Sequence, residues 1–226
     1  SLDNPVGEES WKVNTVHPIN WTRKGNIINV NISYSTDSGA TFPTSLVTNY
    51  NASLGTWNWS IDNTTALTTQ GRIKVMDASN PSIVFANNTV NFEIKGFVEL
   101  ITPSDAGISI AVGDPYSVNW TKAGAVNNIQ LHFSPDGGIA GNGTYSDSDL
   151  IGNFSASNYT KSWTVPDRIG SNLRIRVRDL NNTGVWDESN NTFQIKGKVL
   201  VVLPNGDKTW YKGDTQQIQW IPTGTY

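Results

Sequence analysis

Apolar and polar residues alternate through most of this chain. Val30, Ile32 and Tyr34 alternate with asparagine and serine, and the same pattern returns at residues 128–133. A period of two places the apolar side chains on one face of a β-strand. No segment shows the period of about 3.6 residues that marks an amphipathic helix, so the pattern predicts an all-β protein.

A joint between two strands occurs twice. Phe-Glu-Ile-Lys-Gly at residues 92–96 runs into a strand that ends at Pro103, and Phe-Gln-Ile-Lys-Gly at residues 193–197 runs into one that ends at Pro204. This repeat of about 100 residues predicts a tandem array. We expect a first unit with a truncated opening strand, a complete second unit, and the first strands of a third. The predicted domains are residues 1–96, 97–197 and 198–226.

Each unit contains short alternating strands separated by turn signals. An apolar residue, a polar residue and a tryptophan recur in strands that end at Trp21, Trp120 and Trp220, and the alternation predicts buried rings. We expect Trp21 to pack with Trp59 at the centre of the first unit. Trp120 should pack with Trp163 in the second. About seven strands per unit predict tandem immunoglobulin-like antiparallel β-sandwiches.

Composition and charge narrow the function classes. With 16 basic and 19 acidic residues, the net charge of -3 gives no electrostatic case for a nucleic-acid partner. No apolar run approaches the roughly 20 residues of a membrane helix, so we expect no membrane span in this fragment. The absence of cysteine excludes disulfides, zinc–thiolate sites and cysteine nucleophiles.

Asn-x-Ser/Thr sequons are unusually frequent. Twelve occur, where about five would be expected by chance from the content of asparagine, serine and threonine. One interpretation is turn and strand-face chemistry that uses these residues. The other is an N-glycosylated extracellular protein. The candidate glycosylation sites are Asn20, Asn31, Asn51, Asn58, Asn63, Asn87, Asn119, Asn142, Asn153, Asn158, Asn181 and Asn190.

Several repeated motifs carry a family resemblance. They include Gly-Asp at residues 113–114 and 213–214, Trp-x-Val-Pro at 163–166 and Arg-Ile-Arg-Val-x-Asp at 174–179. The chain resembles secreted Ig-like repeats of the Ser-Thr-rich, cell-wall-anchored type, which are similar to fungal proteins of β-1,6-glucan assembly and to prokaryotic surface-protein repeats. The resemblance implies an Ig-like fold and an extracellular, cell-surface location. It carries over no catalytic residue.

The sequence offers no catalytic constellation. His17 and His132 are the only histidines, and neither recurs in the repeat. Two close acidic pairs are interpreted as solvated turn residues of polar loops: Asp147 with Asp149, and Asp187 with Glu188. A Ca²⁺ site at the first pair with Asp136 is a weaker alternative, because the spacing of a calcium loop is missing. We therefore expect no enzyme activity, cofactor or metal site.

Residues 35–42 resemble the Asp-box of sialidases, a hairpin turn in which the aspartate caps backbone amides. The second copy begins at Ser134 and departs from the motif after Gly138. Further along, Arg174, Arg176 and Arg178 form a basic stripe on one strand face. We interpret that stripe as a solvated sheet face paired with nearby acids.

Trp57 is the tryptophan without an apolar counterpart, since it matches Lys161 in the second unit. An exposed indole ring can cover the apolar face of a sugar, so Trp57 is a candidate ligand contact.

These patterns predict a non-catalytic structural repeat of a secreted cell-surface protein, such as an S-layer, surface-filament or stalk element. The expected partners are neighbouring repeats of the same protein and glycans. Head-to-tail self-assembly by strand exchange is a further expectation, in which residues 198–204 of one copy fill the strand-short first unit of the next. The alternative function is an adhesin or carbohydrate-binding module that uses the loops at residues 40–51 or 139–158.

Overall fold

The computed structural model describes residues 1–141 and 143–225. Strands make up 51% of it and helices 4%, which confirms the predicted all-β class. Contacts divide the chain into two compact units. Unit 1 consists of Ser1–Phe97 and Lys122–Val126, and unit 2 consists of Val98–Thr121 and the chain from Asn127 onward. The three-part division expected from the sequence stays a prediction.

Unit 1 is built from two sheets. Its strands are β1 (Leu2–Asn4), β2 (Ser10–Lys12), β3 (Thr15–Trp21), β4 (Asn29–Ser35), β5 (Thr44–Asn51), β6 (Thr56–Ile61), β7 (Thr68–Asp77), β8 (Phe85–Asn87) and β9 (Phe92–Lys95). The smaller sheet has the order β1-β3-β6. The larger has the order β2-β9-β7-β4-β5, with β8 paired to β7. The β2–β9 pair is parallel and the others are antiparallel.

Unit 2 repeats this arrangement. Its strands are β10 (Phe97–Thr102), β11 (Ser109–Ala111), β12 (Pro115–Ala123), β13 (Asn128–Ser134), β14 (Leu150–Ser155), β15 (Thr160–Thr164), β16 (Gly170–Asp179), β17 (Trp186–Glu188) and β18 (Phe193–Lys196). The smaller sheet is β10-β12-β15, and the larger is β11-β18-β16-β13-β14 with β17 beside β16. Short 3-10 helices lie at Ala52–Leu54 in unit 1, and at Asp147–Asp149 and Ala156–Asn158 in unit 2.

The core of unit 1 lies between its two sheets. Ile19 and Ile61 from the smaller sheet and Ile32, Ile73 and Ile94 from the larger belong to one buried cluster. Two sheets that share such a core form a β-sandwich. Together with the repeated strand order of unit 2, this confirms the predicted tandem Ig-like sandwiches.

The tryptophans of unit 1 are buried but do not pair as predicted. Trp21 and Trp59 are each 5% exposed. Trp59 lies opposite His17 in the β3–β6 ladder, and Trp21 is four residues further along β3. The rise of about 3.3 Å per residue therefore separates the two rings along the strand. Trp21 packs edge-on against Tyr50, while Trp59 contacts Tyr34, with ring centroids 6.2 and 5.0 Å apart.

Unit 2 shows the same separation. Trp163 lies opposite Tyr116 in the β12–β15 ladder, so Trp120 is again four residues away. The indole Nε1 of Trp120 donates to the carbonyl of Ala156 at 2.9 Å. The predicted burial is confirmed, and the predicted Trp–Trp pairing is wrong.

The last two strands are β19 (Lys198–Leu203) and β20 (Gln219–Thr223), which pair with each other. Trp220 is 58% exposed and Trp210 is 48% exposed, so the predicted burial of Trp220 is wrong. In the part of the chain that is described, these two strands form a sheet of their own with no further hydrogen-bonded strand.

Among the described residues, no helix is long and apolar enough to cross a membrane.

Candidate functional site

The sequon asparagines lie at or near the surface of both units. None of the eleven described ones is buried. Seven are exposed: Asn51, Asn58, Asn63, Asn153, Asn158, Asn181 and Asn190. Four are half-buried: Asn20, Asn31, Asn87 and Asn119. Asn142 lies outside the described residues.

The period of β3 and β6 explains how two sequons reach the surface of the smaller sheet. Ile19, Trp21 and Trp59 point into the core, so Asn20 and Asn58 point to the opposite face. The side-chain oxygen of Asn20 accepts a hydrogen bond from the hydroxyl of the neighbouring Thr56 at 2.7 Å. The bond uses the Oδ1 atom of Asn20, whereas a glycan would be attached to its Nδ2 atom.

Other sequons also serve the local backbone. Asn51 caps a 3-10 helix, because its Oδ1 accepts from the amide and the hydroxyl of Ser53 at 2.9 and 2.8 Å. The Oδ1 of Asn31 accepts from the amide of Asn49 at 2.8 Å, and the sequon hydroxyl of Ser33 is buried. Asn31 is therefore a sequon whose serine hydroxyl is enclosed, and it lies on a strand that is paired on both sides.

Trp57 lies in a cleft between the edge strands of the two sheets of unit 1. Its indole is half-buried and packs against the core beside Trp59. The cleft has a volume of about 550 Å³ and runs between β5 and β6, with Tyr34 and Trp59 among its lining residues. The predicted ligand contact therefore lines a concave site, although its ring is not a freely exposed platform.

The Asp-box of unit 1 forms the expected turn. The Asp37 carboxylate accepts from the amide and the hydroxyl of Thr41, at 3.0 and 2.6 Å, and from the hydroxyl of Ser35 at 2.6 Å. The Gly39 amide donates to Ser35 at 2.9 Å, and glycine suits its φ of 81°. Hydrogen bonds from Ser35 and Thr41 lower the pKa of Asp37 to about 2.

The same turn is present in unit 2, even though its sequence departs from the motif after Gly138. Asp136 accepts from the Ser134 hydroxyl at 2.6 Å and from the Thr144 amide at 2.8 Å. Thr144 is eight residues beyond Asp136, whereas Thr41 is four residues beyond Asp37. Four additional residues are therefore inserted without loss of the capping bonds.

The insertion is anchored on Glu188, which is 8% exposed. The Glu188 carboxylate accepts from the amides of Ile139 and Ala140 at 3.0 and 2.8 Å, and from the Tyr145 hydroxyl at 2.8 Å. The interpretation of Glu188 as a solvated loop residue is therefore wrong. It fails because the donors lie more than 40 residues earlier in the chain, inside the insertion.

Asp149 and Asp187 also have structural partners. Asp149 forms an ion pair with Arg168 at 3.3 Å, and the Asp187 carboxylate accepts from the Leu100 amide at 2.7 Å. Asp147 stays exposed, as the sequence predicted. Within the described ranges, no group of three or more His, Asp or Glu residues could hold a metal ion.

His132 lies under the same connection. It is 2% exposed, and neither ring nitrogen has a hydrogen-bond partner. Its Nε2 is 3.9 Å from an Asp147 oxygen. Burial lowers the pKa of His132 below its ordinary value, and the charges of Arg176 and Arg178 lower it further.

Among the described residues, no arginine of the β16 stripe forms an ion pair, although Arg176 lies opposite Glu188 in the β16–β17 ladder. Arg174 donates to the carbonyl of Ser189, and Arg178 donates to Gln130 at 2.5 Å. The Arg176 guanidinium lies 4.2 Å from the centroid of the Tyr145 ring. The direct contacts of these arginines are thus a carbonyl, an amide and an aromatic ring, while the Glu188 carboxylate attracts Arg176 from the neighbouring strand.

His17 has a packing role. Its ring stacks on Trp11 with centroids 4.5 Å apart, and its Nε2 is 2.9 Å from the Thr15 hydroxyl. Burial lowers the pKa of His17. Among the partners described for this imidazole there is neither a nucleophile with an activating base nor a carboxylate.

Among known proteins, the chain is similar to solved structures that contain fibronectin(III)-like or Ig domains. No protein-family model and no curated protein sequence matches the chain. The chain is similar to the fibronectin(III)-like modules of Clostridium thermocellum CbhA, with 14% identity, coverage of 86% of this chain and 90% of that one, and a TM-score of 0.25.

Two other similar structures contain further domains. The N-terminal four Ig domains of Dscam1 isoform 6.9 share 10% identity, with 87% of this chain and 45% of that one covered and a TM-score of 0.34. The three N-terminal domains of the bacteriophage RB49 capsid protein Hoc share 9% identity, with 95% and 65% covered and a TM-score of 0.30. The chain thus spans less than half of the Dscam1 structure. At these TM-scores, the fold assignment depends on the strand order and core of the chain itself.

Proposed function

We propose that the chain is a non-catalytic structural repeat of a secreted, N-glycosylated cell-surface protein, of the S-layer, surface-filament or stalk kind. The observation that carries this proposal is the display of the sequons. They occur at more than twice the chance frequency, lie on both sandwiches, and in the described chain are never buried. Glycans at Asn20 or Asn58 would extend from a face that points away from the core.

The structural roles of the motifs support a repeat of the Ser-Thr-rich, cell-wall-anchored Ig-like type. The Ser-x-Asp-x-Gly segments form turns capped by the aspartate. The Arg-Ile-Arg-Val segment contributes Ile175 and Val177 to the core. The acids Asp149, Asp187 and Glu188 bind backbone amides or an arginine. These groups stabilise the sandwich, which favours a supporting role over catalysis.

The location is tested on intact cells of the source organism. A membrane-impermeant amine label should modify exposed lysines such as Lys24 and Lys161 before lysis, as judged by mass spectrometry. An abundant cytoplasmic protein in the same cells is the control and should stay unlabelled. Labelling of the chain only after lysis would contradict the surface location.

Head-to-tail assembly by strand exchange belongs to the same proposal. Beside β1, a groove of about 180 Å³ is lined by Trp21, Val30 and Val75, among others. In β10, Val98 is 5% exposed, which illustrates how an apolar strand residue is buried in a complete smaller sheet.

Sedimentation velocity at rising concentration tests this assembly. Strand exchange predicts concentration-dependent oligomers that disappear in a variant with Val199→Lys and Val201→Lys, since both side chains are at least half exposed in β19. The matched control is Ile83→Lys, at an exposed residue of unit 1. A chain that stays monomeric at high concentration would contradict strand exchange.

The second candidate function is ligand binding, as an adhesin or carbohydrate-binding module. The cleft that contains Trp57 favours this alternative, because concave sites with an aromatic wall and polar groups are typical of ligand pockets.

A further inference from the structure

The cleft of unit 1 is bordered by two strand edges. β5 is the last strand of the larger sheet and β6 is the last strand of the smaller one, so in the described structure each has one unpaired edge. Between these edges, Trp57 and Leu46 form apolar walls above Tyr34 and Trp59. The volume of about 550 Å³ lies within the usual range for small-molecule sites.

Hydroxyl groups and one carboxylate surround the apolar walls. The aliphatic hydroxyls belong to Thr44, Ser45, Ser60, Thr64 and Thr65, and the Tyr34 hydroxyl donates to the carbonyl of Ala66 at 3.2 Å. The Asp62 Oδ1 atom accepts from the amide and hydroxyl of Thr64 at 2.8 and 2.7 Å, while its Oδ2 atom takes none of these bonds. No lysine, arginine or histidine is among the described lining residues.

We propose that this cleft binds an uncharged oligosaccharide, with the indole of Trp57 against the apolar face of one sugar ring. Sugars present both an apolar ring face and many hydroxyls, which matches one half-buried aromatic wall among hydroxyl, carboxylate and backbone groups. An acidic sugar is disfavoured, because the charged group of the lining is the Asp62 carboxylate. The inference deepens the carbohydrate-binding alternative and names its site and ligand class.

A peptide strand fits this cleft less well. The pairing of β5 with β4 is irregular at two places between Val30 and Ser33, and Asn49 in β5 has a φ of 55°. Bulges and left-handed residues twist an edge strand and discourage the addition of another strand. The exposed polar backbone of β5 is thus better suited to scattered hydrogen bonds with hydroxyls.

Unit 2 provides a natural comparison for the site. Its corresponding cleft is smaller, about 270 Å³, with Phe133 and Trp163 among its lining residues. The ion pair between Arg168 and Asp149 lies across this lining. Lys161 stands where unit 1 has Trp57, and its ammonium is directed to another ring, 5.1 Å from the Phe154 centroid. The unit 2 cleft therefore lacks a counterpart of the Trp57 indole, and we assign the saccharide site to unit 1 alone.

The test uses the full chain expressed in a bacterium without N-glycosylation, because Asn58 is a sequon and also lines the cleft. Isothermal titration with cellohexaose, chitohexaose and mannohexaose measures binding. At least one should bind, and Trp57→Ala and Trp57→Lys should each weaken binding at least tenfold. The lysine variant installs the residue of unit 2. Trp186→Ala, at an exposed ring of unit 2, is the control and should leave the affinity unchanged.

Folding of each variant is checked by its thermal unfolding midpoint. Because Trp57 also packs on the core, Asp62→Asn is measured as well, and it should weaken the same titration without lowering the unfolding midpoint. Binding that persists unchanged in the Trp57 and Asp62 variants would overturn the site but leave carbohydrate binding elsewhere in place. Absence of binding to all three probes, or binding to sulfated oligosaccharides alone, would overturn the proposed ligand class as well. The glycosylated structural role is tested separately by glycopeptide mapping, and the two proposals meet only at Asn58, where a glycan would lie beside the cleft.

Discussion

Two hairpins at the same place in the two units have the same turn and different connections. In unit 1, Asp37 binds Thr41 four residues later, and in unit 2 Asp136 makes the same bonds to Thr144 eight residues later. The difference teaches that the turn is held by local side-chain bonds that tolerate an insertion. The insertion itself requires an anchor from a distant strand, which Glu188 supplies.

The sheet face beside the turn changes with the insertion. In unit 1, the Lys74 ammonium lies between two phenyl rings, 4.0 Å from the Phe85 centroid and 5.6 Å from that of Phe42. In unit 2, Arg176 takes the place of Lys74 and lies over Tyr145. Unit 2 thus places the Glu188 carboxylate beside its ring, while unit 1 places a second ring, that of Phe85, beside its cation.

Removal of the anchor should produce the largest difference between the units. Glu188→Ala leaves two backbone amides and the Tyr145 hydroxyl without their acceptor, and we expect a loss of about 3 kcal/mol in the stability of unit 2. Urea unfolding followed by NMR signals of unit 2 measures it. At the corresponding position of unit 1, Asn87→Ala should cost less than about 0.5 kcal/mol, because Asn87 is half-buried and donates one bond to Asn88. Equal losses in the two variants would contradict the anchoring role.

Acid should destabilise unit 2 through His132. Its pKa in the folded state is lowered by burial and by Arg176 and Arg178, and the attraction of Asp147 and Asp149 opposes this. The other ionisable groups on the elements beside it are Arg174, Asp179, Asp187, Glu188 and Tyr145. An open or unfolded chain therefore binds a proton more readily, and stability falls as the pH drops below the ordinary value of 6.5.

Unfolding measured from pH 7.5 to 5 should show this loss in the native chain. His132→Ser, which installs the serine found at the corresponding position of unit 1, should remove the part of this slope that His132 contributes and leave the part that arises from His17. The effect should be smaller than that of Glu188→Ala, because the ring can regain solvent when the connection opens. An identical slope in the two proteins would show that protonation of His132 does not contribute to the loss of stability in acid.

The smallest expected effect concerns the cation over the ring in unit 1. Phe85→Leu keeps an apolar side chain but removes the aromatic face, and it should cost about 0.5 kcal/mol in thermal or urea unfolding. Trp186→Leu is the matched change in unit 2, where no cation is described over the Trp186 ring. A larger loss of stability for Trp186→Leu than for Phe85→Leu would contradict a stabilising contact between Lys74 and Phe85.

The regular parts of the fold could be predicted from residue patterns. The period of two placed Trp21, Trp59, Trp120 and Trp163 inside, because alternation alone decides which face of a strand is buried. It could not decide which rings touch, since that depends on the register between β3 and β6. Trp220 carries the same local pattern and is exposed, because burial also requires a second sheet.

The candidate sites were less predictable. Trp57 could be singled out in the sequence because the equivalent residue of unit 2 is Lys161. The cleft around it could not, because it forms between β5 and β6, the edge strands of the two sheets. Asp187 and Glu188 resemble a polar turn in the sequence, and their burial arises from contacts with residues 100 and 139–145. Two clues were present: the insertion is rich in glycine, and Thr144 followed by Tyr145 repeats Thr41 followed by Phe42.

The most direct test of the proposed surface role is glycopeptide mapping by mass spectrometry on the chain from its native source. We expect several hexose-sized mass increments, with the highest occupancy at exposed sequons such as Asn153 and Asn181. Asn31 should have the lowest occupancy, because its side chain binds Asn49 and its sequon serine is buried. An unmodified mass at all sequons would contradict the glycosylated surface repeat and would leave the asparagines to turn and strand-face chemistry.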